Sequence, residues 1–107
     1  MDIQLKKGSL EVCVLASLLK EDSYGYKIIQ SLNGVIDISE STLYPILRRL
    51  ESNNCLKSYS IEHNGRLRKF YSITSKGQEK IKEYLLDFKE LLSIYNFIAK
   101  EVKDDAR

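Results

Sequence analysis

Apolar positions along the chain fall into helix-like stretches with one strand-like pair between them, and this spacing sets most of the expected architecture. Residues 9–20, SLEVCVLASLLK, place Leu10, Val14 and Leu18 on one line with Val12, Leu15 and Leu19 beside it. A helix apolar over most of its circumference is expected to be buried on more than one side. The polar Glu21–Asp22–Ser23 stops it and offers caps to a short second helix over about 24–32, where Tyr24, Ile28, Ile29 and Leu32 recur at helical spacing. Asn33–Gly34 breaks that helix.

The stretch ESTLYPILRRLE, residues 40–51, spaces Leu43, Ile46, Leu47 and Leu50 to cover one face of a third helix, spanning 40–53. Ser39 or Ser41 can cap it through a side-chain oxygen, and Asn53–Asn54 closes it. Pro45 constrains where it begins. A proline costs little within the first turn, where its missing N–H had no partner anyway. The regular helix is therefore expected to start near 41–42, since an earlier start implies a kink.

Two β-rich runs follow, LKSYSIEH and RLRKFYSIT, separated by Asn64–Gly65. That dipeptide suits a type I′ turn, which pairs His63 with Arg66, Ile61 with Arg68 and Tyr59 with Phe70. Leu56, Tyr71 and Ile73 then face the core, and the tip is basic. The remainder, roughly 75–103, is one long helix with a capping-box pattern at Ser75 and Gln78. Its apolar residues repeat every seven positions: Ile81, Phe88, Tyr95 and Val102, with Tyr84, Leu91 and Ile98, and with Leu85 and Leu92 alongside. Such a repeat describes a coiled-coil seam. A helix of that length spans ~45 Å, which outreaches a small helical body, so part of the stripe needs another chain.

Composition narrows the class. With 107 residues, 43% apolar and 30% charged, the chain is expected to be a globular unit with a limited core, for which an oligomer is unsurprising. The net charge of +2 is too small to announce a polyanion partner, but it is unevenly spread. Residues 1–40 carry four Lys against six acids, 41–69 six Lys/Arg against two, and 70–107 seven of each. The positive excess sits in the middle third, so nucleic acid or another anionic surface becomes a candidate partner there. Cys13 and Cys55 lie far apart beside a single histidine, His63, which suggests neither a disulfide framework nor a metal cluster. Both cysteines are expected to be small buried residues. No secretory layout and no run of about 18 apolar residues is present, so the expected location is cytoplasmic. No Gly-rich phosphate loop, nucleophile motif or cofactor signature supports enzyme chemistry.

Three helices, a hairpin and a further long helix, in that order, describe an α+β, mainly α chain: a winged helix-turn-helix over 1–74 with a C-terminal helix over 75–107. The segments GSLEVCVLASLLKEDSYGYKIIQSL, ISESTLYPILRRLESNNCL and RKFYSITSKGQEKI closely resemble the PadR family of bacterial transcriptional regulators. TLYPILRRLE, YSITSKG and the YGY before the second helix are the most specific parts, and the likeness covers about residues 5–85. The single C-terminal helix resembles the shorter PadR subgroup.

The resemblance implies a homodimeric repressor on double-stranded, pseudo-palindromic operator DNA. Helix 40–53 would enter the major groove, and the loop around 63–68 would be the wing on flanking DNA. Ser41, Thr42 and Tyr44 would then lie nearest the bases, with Arg48 and Arg49 on phosphate, because base contacts in this motif come mainly from the N-terminal part of the helix. The bland alternative is a solvated polar face. Tyr24 could reach a phosphate beside the second helix's N-terminus, with Lys27 near it, or Tyr24 and Tyr26 could pack on the third helix. Gly25 between them would let the backbones approach closely. Arg66, Arg68 and Lys69, beside His63 and Asn64, could follow the DNA backbone or merely protect an edge strand.

In the family the first and last helices build the dimer. That implies an interface from Leu10, Val14, Leu18, Ile81, Tyr84, Leu85, Phe88, Leu91, Leu92, Tyr95, Ile98 and Val102. Some relatives bind small aromatic molecules between such helices, so an effector is conceivable here but unassigned. The modest net charge also leaves open a winged-helix protein-interaction module without operator recognition.

Overall fold

The computed structural model describes residues 3–105, with side chains from residue 8 onward. Its elements are α1 (Ile3–Ala16), β1 (Ser23–Tyr24), α2 (Gly25–Leu32), α3 (Glu40–Ser52), β2 (Leu56–His63), β3 (Arg66–Ile73) and α4 (Ser75–Asp105). This is a mainly helical winged helix with a long C-terminal helix, as the sequence implies.

The core forms where the apolar faces of α1, α2 and α3 meet the hairpin base. Val12, Val14, Leu15 and Leu18 pack with Ile28, Leu32, Leu43, Ile46, Leu47 and Leu50, and Leu56, Tyr71 and Ile81 close the cluster. Each such side chain contributes about 1.5–3 kcal/mol through removal from water. Cys55 is buried and Cys13 is partly buried, so both fill space, and burial pushes the Cys13 thiol up.

Helix α1 ends at Ala16 rather than at residue 20. The backbone tightens there into shorter-range bonds, from the Leu18 N–H to the Leu15 carbonyl at 3.0 Å and from Leu19 to Ala16 at 3.2 Å. The Ser17 hydroxyl donates to the Val14 carbonyl at 2.6 Å, a local competition with helical bonding. Leu18 remains buried, whereas Leu19 turns out to solvent.

The sheet has three strands in the order β1-β3-β2. The hairpin register is the one that Asn64–Gly65 dictates: His63 opposes Arg66, Ile61 opposes Arg68 and Tyr59 opposes Phe70. Both turn residues hold positive φ, 52° and 78°, as a type I′ turn requires. The third strand was not expected. Ser23 and Tyr24 pair with Tyr71 and Phe70, so Ser23 is a buried strand residue and not a helix cap. Tyr24 takes the N-cap position of α2 in extended conformation, with no side-chain cap bond.

Helix α3 also departs from expectation. It begins at Glu40, because the Ser39 carbonyl accepts from both Thr42 (3.1 Å) and Leu43 (2.9 Å). Pro45 therefore lies beyond the first turn. It withholds the N–H that would reach the Ser41 carbonyl, but Ser41 is exposed, where an outside donor can serve that oxygen. Ser39 occupies the N-cap without a cap bond; its hydroxyl instead meets Ser41 Oγ at 2.9 Å and Thr42 Oγ1 at 3.3 Å.

The α4 cap sits one residue earlier than the Ser75–Gln78 pattern suggests. Thr74 Oγ1 accepts from the Gly77 N–H at 3.1 Å and donates to the Asn54 carbonyl at 2.6 Å. This joins the start of α4 to the left-handed turn at Asn54 that ends α3. Beyond Tyr84, α4 leaves the body and stretches the chain to 68 Å along its longest axis.

Candidate nucleic-acid interface

An open cleft of about 800 Å³ lies between the first turn of α2, the first turns of α3 and the outer half of the hairpin. Seven residues expected from the sequence line it: Tyr24, Tyr44, His63, Asn64, Arg66, Arg68 and Lys69. Gly25, Tyr26, Glu40, Leu67 and Tyr71 complete the lining, and none of these was singled out for contact from the sequence. Strand alternation is the signal that brings Leu67 and Tyr71 onto the same face as Lys69.

The floor of the cleft depends on a close approach. A Cβ on Gly25 would sit 2.7 Å from the Tyr44 hydroxyl oxygen, so the helix start and the Tyr44 ring come together only because residue 25 is glycine. Two backbones were not needed; a ring fills the space.

An aromatic row crosses the sheet and stiffens the wing. Tyr24 meets Phe70 edge-on at 5.3 Å, and Phe70 stacks on Tyr59 at 5.8 Å. The Arg68 guanidinium lies 4.3 Å from the Tyr24 ring centre, a cation–π contact that holds its charge at the cleft rim. The Tyr59 hydroxyl donates to Asp22 at 2.5 Å, which ties the row to the segment before β1 and raises the Tyr59 phenol above its usual range. Lys69 reaches inward, 5.6 Å from the Tyr71 ring centre and 3.9 Å from the Glu51 carboxylate. Glu51 also accepts from the Ser58 hydroxyl, so the last turn of α3 is fastened to the hairpin base. Burial pushes the Tyr71 phenol up.

Outside the cleft, Ser41, Thr42 and Arg48 are exposed on α3. Two other cations are held by acids. Lys27 donates to Glu21 at 2.7 Å, and that bond raises the lysine and lowers the carboxylate. Arg49 turns away from the cleft: its Nε and a terminal nitrogen both lie 3.0 Å from one Glu11 oxygen. Lys80 approaches the other Glu11 oxygen at 3.3 Å, so a single carboxylate links α1, α3 and α4. Adjacent positions on a helix point about 100° apart, which separates Arg48 from Arg49.

The apolar residues expected at a second chain divide into two groups. Val14, Leu18 and Ile81 are buried within this chain's own core and offer no surface to another copy. Leu10 and Tyr84 are half-buried, and the Tyr84 hydroxyl bonds Ser9 at 2.7 Å. Leu85, Phe88, Leu91, Leu92, Tyr95, Ile98 and Val102 are exposed along α4, together with Leu86, Ile94 and Phe97. Tyr84 and Phe88 stack at 6.1 Å, where the buried and exposed parts of the helix meet.

Comparison with known proteins gives a consistent picture. Residues 14–83 match the model of the transcriptional regulator PadR-like family. An uncharacterized protein of Lysinibacillus sphaericus is 33% identical over 93 residues, which cover 82% of this chain and 85% of the relative. A PadR family transcriptional regulator from Eggerthella lenta is 33% identical with a TM-score of 0.80, covering 91% of this chain and 87% of that one. The fold is also that of Bacillus subtilis PadR, a structure in complex with operator DNA. There the TM-score is 0.68 at 21% identity, over 72% of this chain and 46% of that one.

Proposed function

The chain belongs to the PadR-like family of transcriptional regulators, and on that premise we propose that it is a cytoplasmic repressor that binds a pseudo-palindromic operator as a homodimer. In this reading α3 enters the major groove of each half-site and the hairpin lies on flanking DNA. The observation that carries it is the open cleft between α3 and the wing, lined by Tyr24, Tyr44, His63, Arg66, Arg68 and Lys69. Guanidinium, ammonium and phenol groups there can donate to phosphate and base edges. Fold likeness to Bacillus subtilis PadR, a structure in complex with operator DNA, supports DNA as the partner.

Residues 1–74 serve as the DNA-binding unit and 75–107 as the dimerisation helix. The exposed apolar stripe from Leu85 to Val102 supports the second assignment, because one chain leaves it facing water. Within the dimer, a signal that alters packing between the two α4 helices changes the separation of the two α3 helices, which is how an effector would act. Fluorescence anisotropy with duplex DNA from upstream of the protein's own coding sequence tests the proposal. Sequence-preferring, salt-sensitive binding is the expected result. Binding without sequence preference, accompanied by a stable protein partner, would instead support an interaction module.

A further inference from the structure

The cleft contains one feature that phosphate binding does not explain. Glu40 lines it, exposed, as the first residue of α3, among His63, Arg66, Arg68 and Lys69. A carboxylate is repelled by phosphates, so it weakens general attraction to DNA. Among the described residues, no hydrogen bond or ion pair joins Glu40 to the basic side chains of the cleft. Glu40 and Tyr44 lie one turn apart on the line that faces the cleft, with Glu40 nearer the helix N-terminus. In helix-turn-helix docking the N-terminal residues of the recognition helix contact base edges.

A carboxylate only accepts hydrogen bonds. In the major groove the available base donors are the N4 amino group of cytosine and the N6 amino group of adenine. Adenine places its N7 acceptor directly beside N6, where it repels a carboxylate, whereas cytosine has no such acceptor on that edge. We propose that Glu40 is a specificity residue that accepts a hydrogen bond from cytosine N4 at one base pair of each operator half-site. The inference rests on the docking proposed above. Repulsion from phosphates then acts in the same direction, lowering affinity for DNA that lacks the cytosine.

Selection of binding sites from a random duplex pool, with the full chain and its E40Q and E40A variants, tests this. The wild-type protein is expected to enrich sites with cytosine at one symmetric position, favoured by roughly five- to a hundredfold over other bases. E40Q is expected to move that position to adenine, because glutamine can bond adenine N6 and N7 together. E40A should lose the preference there and keep the rest of the site. If all three proteins select the same base at every position, Glu40 reads no base and the inference is overturned. If the wild-type chain enriches no sequence, the docking itself fails, and the inference with it.

Discussion

Gly25 and Tyr44 touch in a way that only glycine allows. A Cβ at position 25 would lie 2.7 Å from the Tyr44 hydroxyl oxygen and 3.2 Å from its Cζ. The obstructing atoms form the free end of a side chain, so Gly25→Ala can be accommodated by moving the ring. The substituted protein should keep its melting temperature within a few degrees. Its affinity for operator DNA should fall by about tenfold, as expected for one displaced contact. Paired thermal melts and anisotropy titrations check this, and equal losses in both would show that Gly25 serves stability alone.

Gly77 is the opposite case. A Cβ there would fall on the Cys55 carbonyl oxygen and 2.7 Å from Ile73 Cγ1. Backbone and core cannot swing aside, so Gly77→Ala should destabilise the fold by about 1–3 kcal/mol. Urea denaturation measures it.

Arg48 and Arg49 should separate cleanly. Arg48→Ala is expected to leave stability nearly unchanged, weaken DNA binding and reduce the salt slope by about 1 if Arg48 neutralises a phosphate. Arg49→Ala removes one of the two cations held by Glu11, whose side chain is only 15% exposed, and should cost stability by about 1 kcal/mol. Its salt slope should stay that of the wild type. Salt titrations of Kd alongside urea melts distinguish the two.

The α4 stripe makes a further demand. Ile98→Asp places a charge among Phe88, Leu91, Leu92, Tyr95 and Val102, all exposed in one chain. If a second copy covers this stripe, the substitution should yield monomers in sedimentation experiments and lower the melting temperature. It should also reduce the concentration dependence of that temperature. A variant with unchanged mass would move the dimer contact elsewhere.

What could be read in the sequence followed from local chemistry. Asn64–Gly65 alone fixes the hairpin register, and the spacing of Leu43, Ile46, Leu47 and Leu50 fixes the buried face of α3. Features set by distant partners could not be read that way. A strand as short as Ser23–Tyr24 exists because β3 is there to pair with it, and no periodicity marks it. Arg49 looks like Arg48 until Glu11 of α1 is placed beside it. Val14 and Leu18 read equally as core or as interface until α2 and α3 cover them. Pro45 misled through a sound local rule, since the helix extends past the proline and leaves the Ser41 carbonyl on an exposed turn.

The proposed mode of binding is tested most directly by hydroxyl-radical footprinting of the full chain on its own upstream DNA, with Arg66→Ala as the comparison. The expected result is a pair of protected half-sites about one helical turn apart on one face of the duplex, with flanking protection that weakens in the variant. Uniform protection along the fragment, or none at salt where the protein is folded, would contradict it.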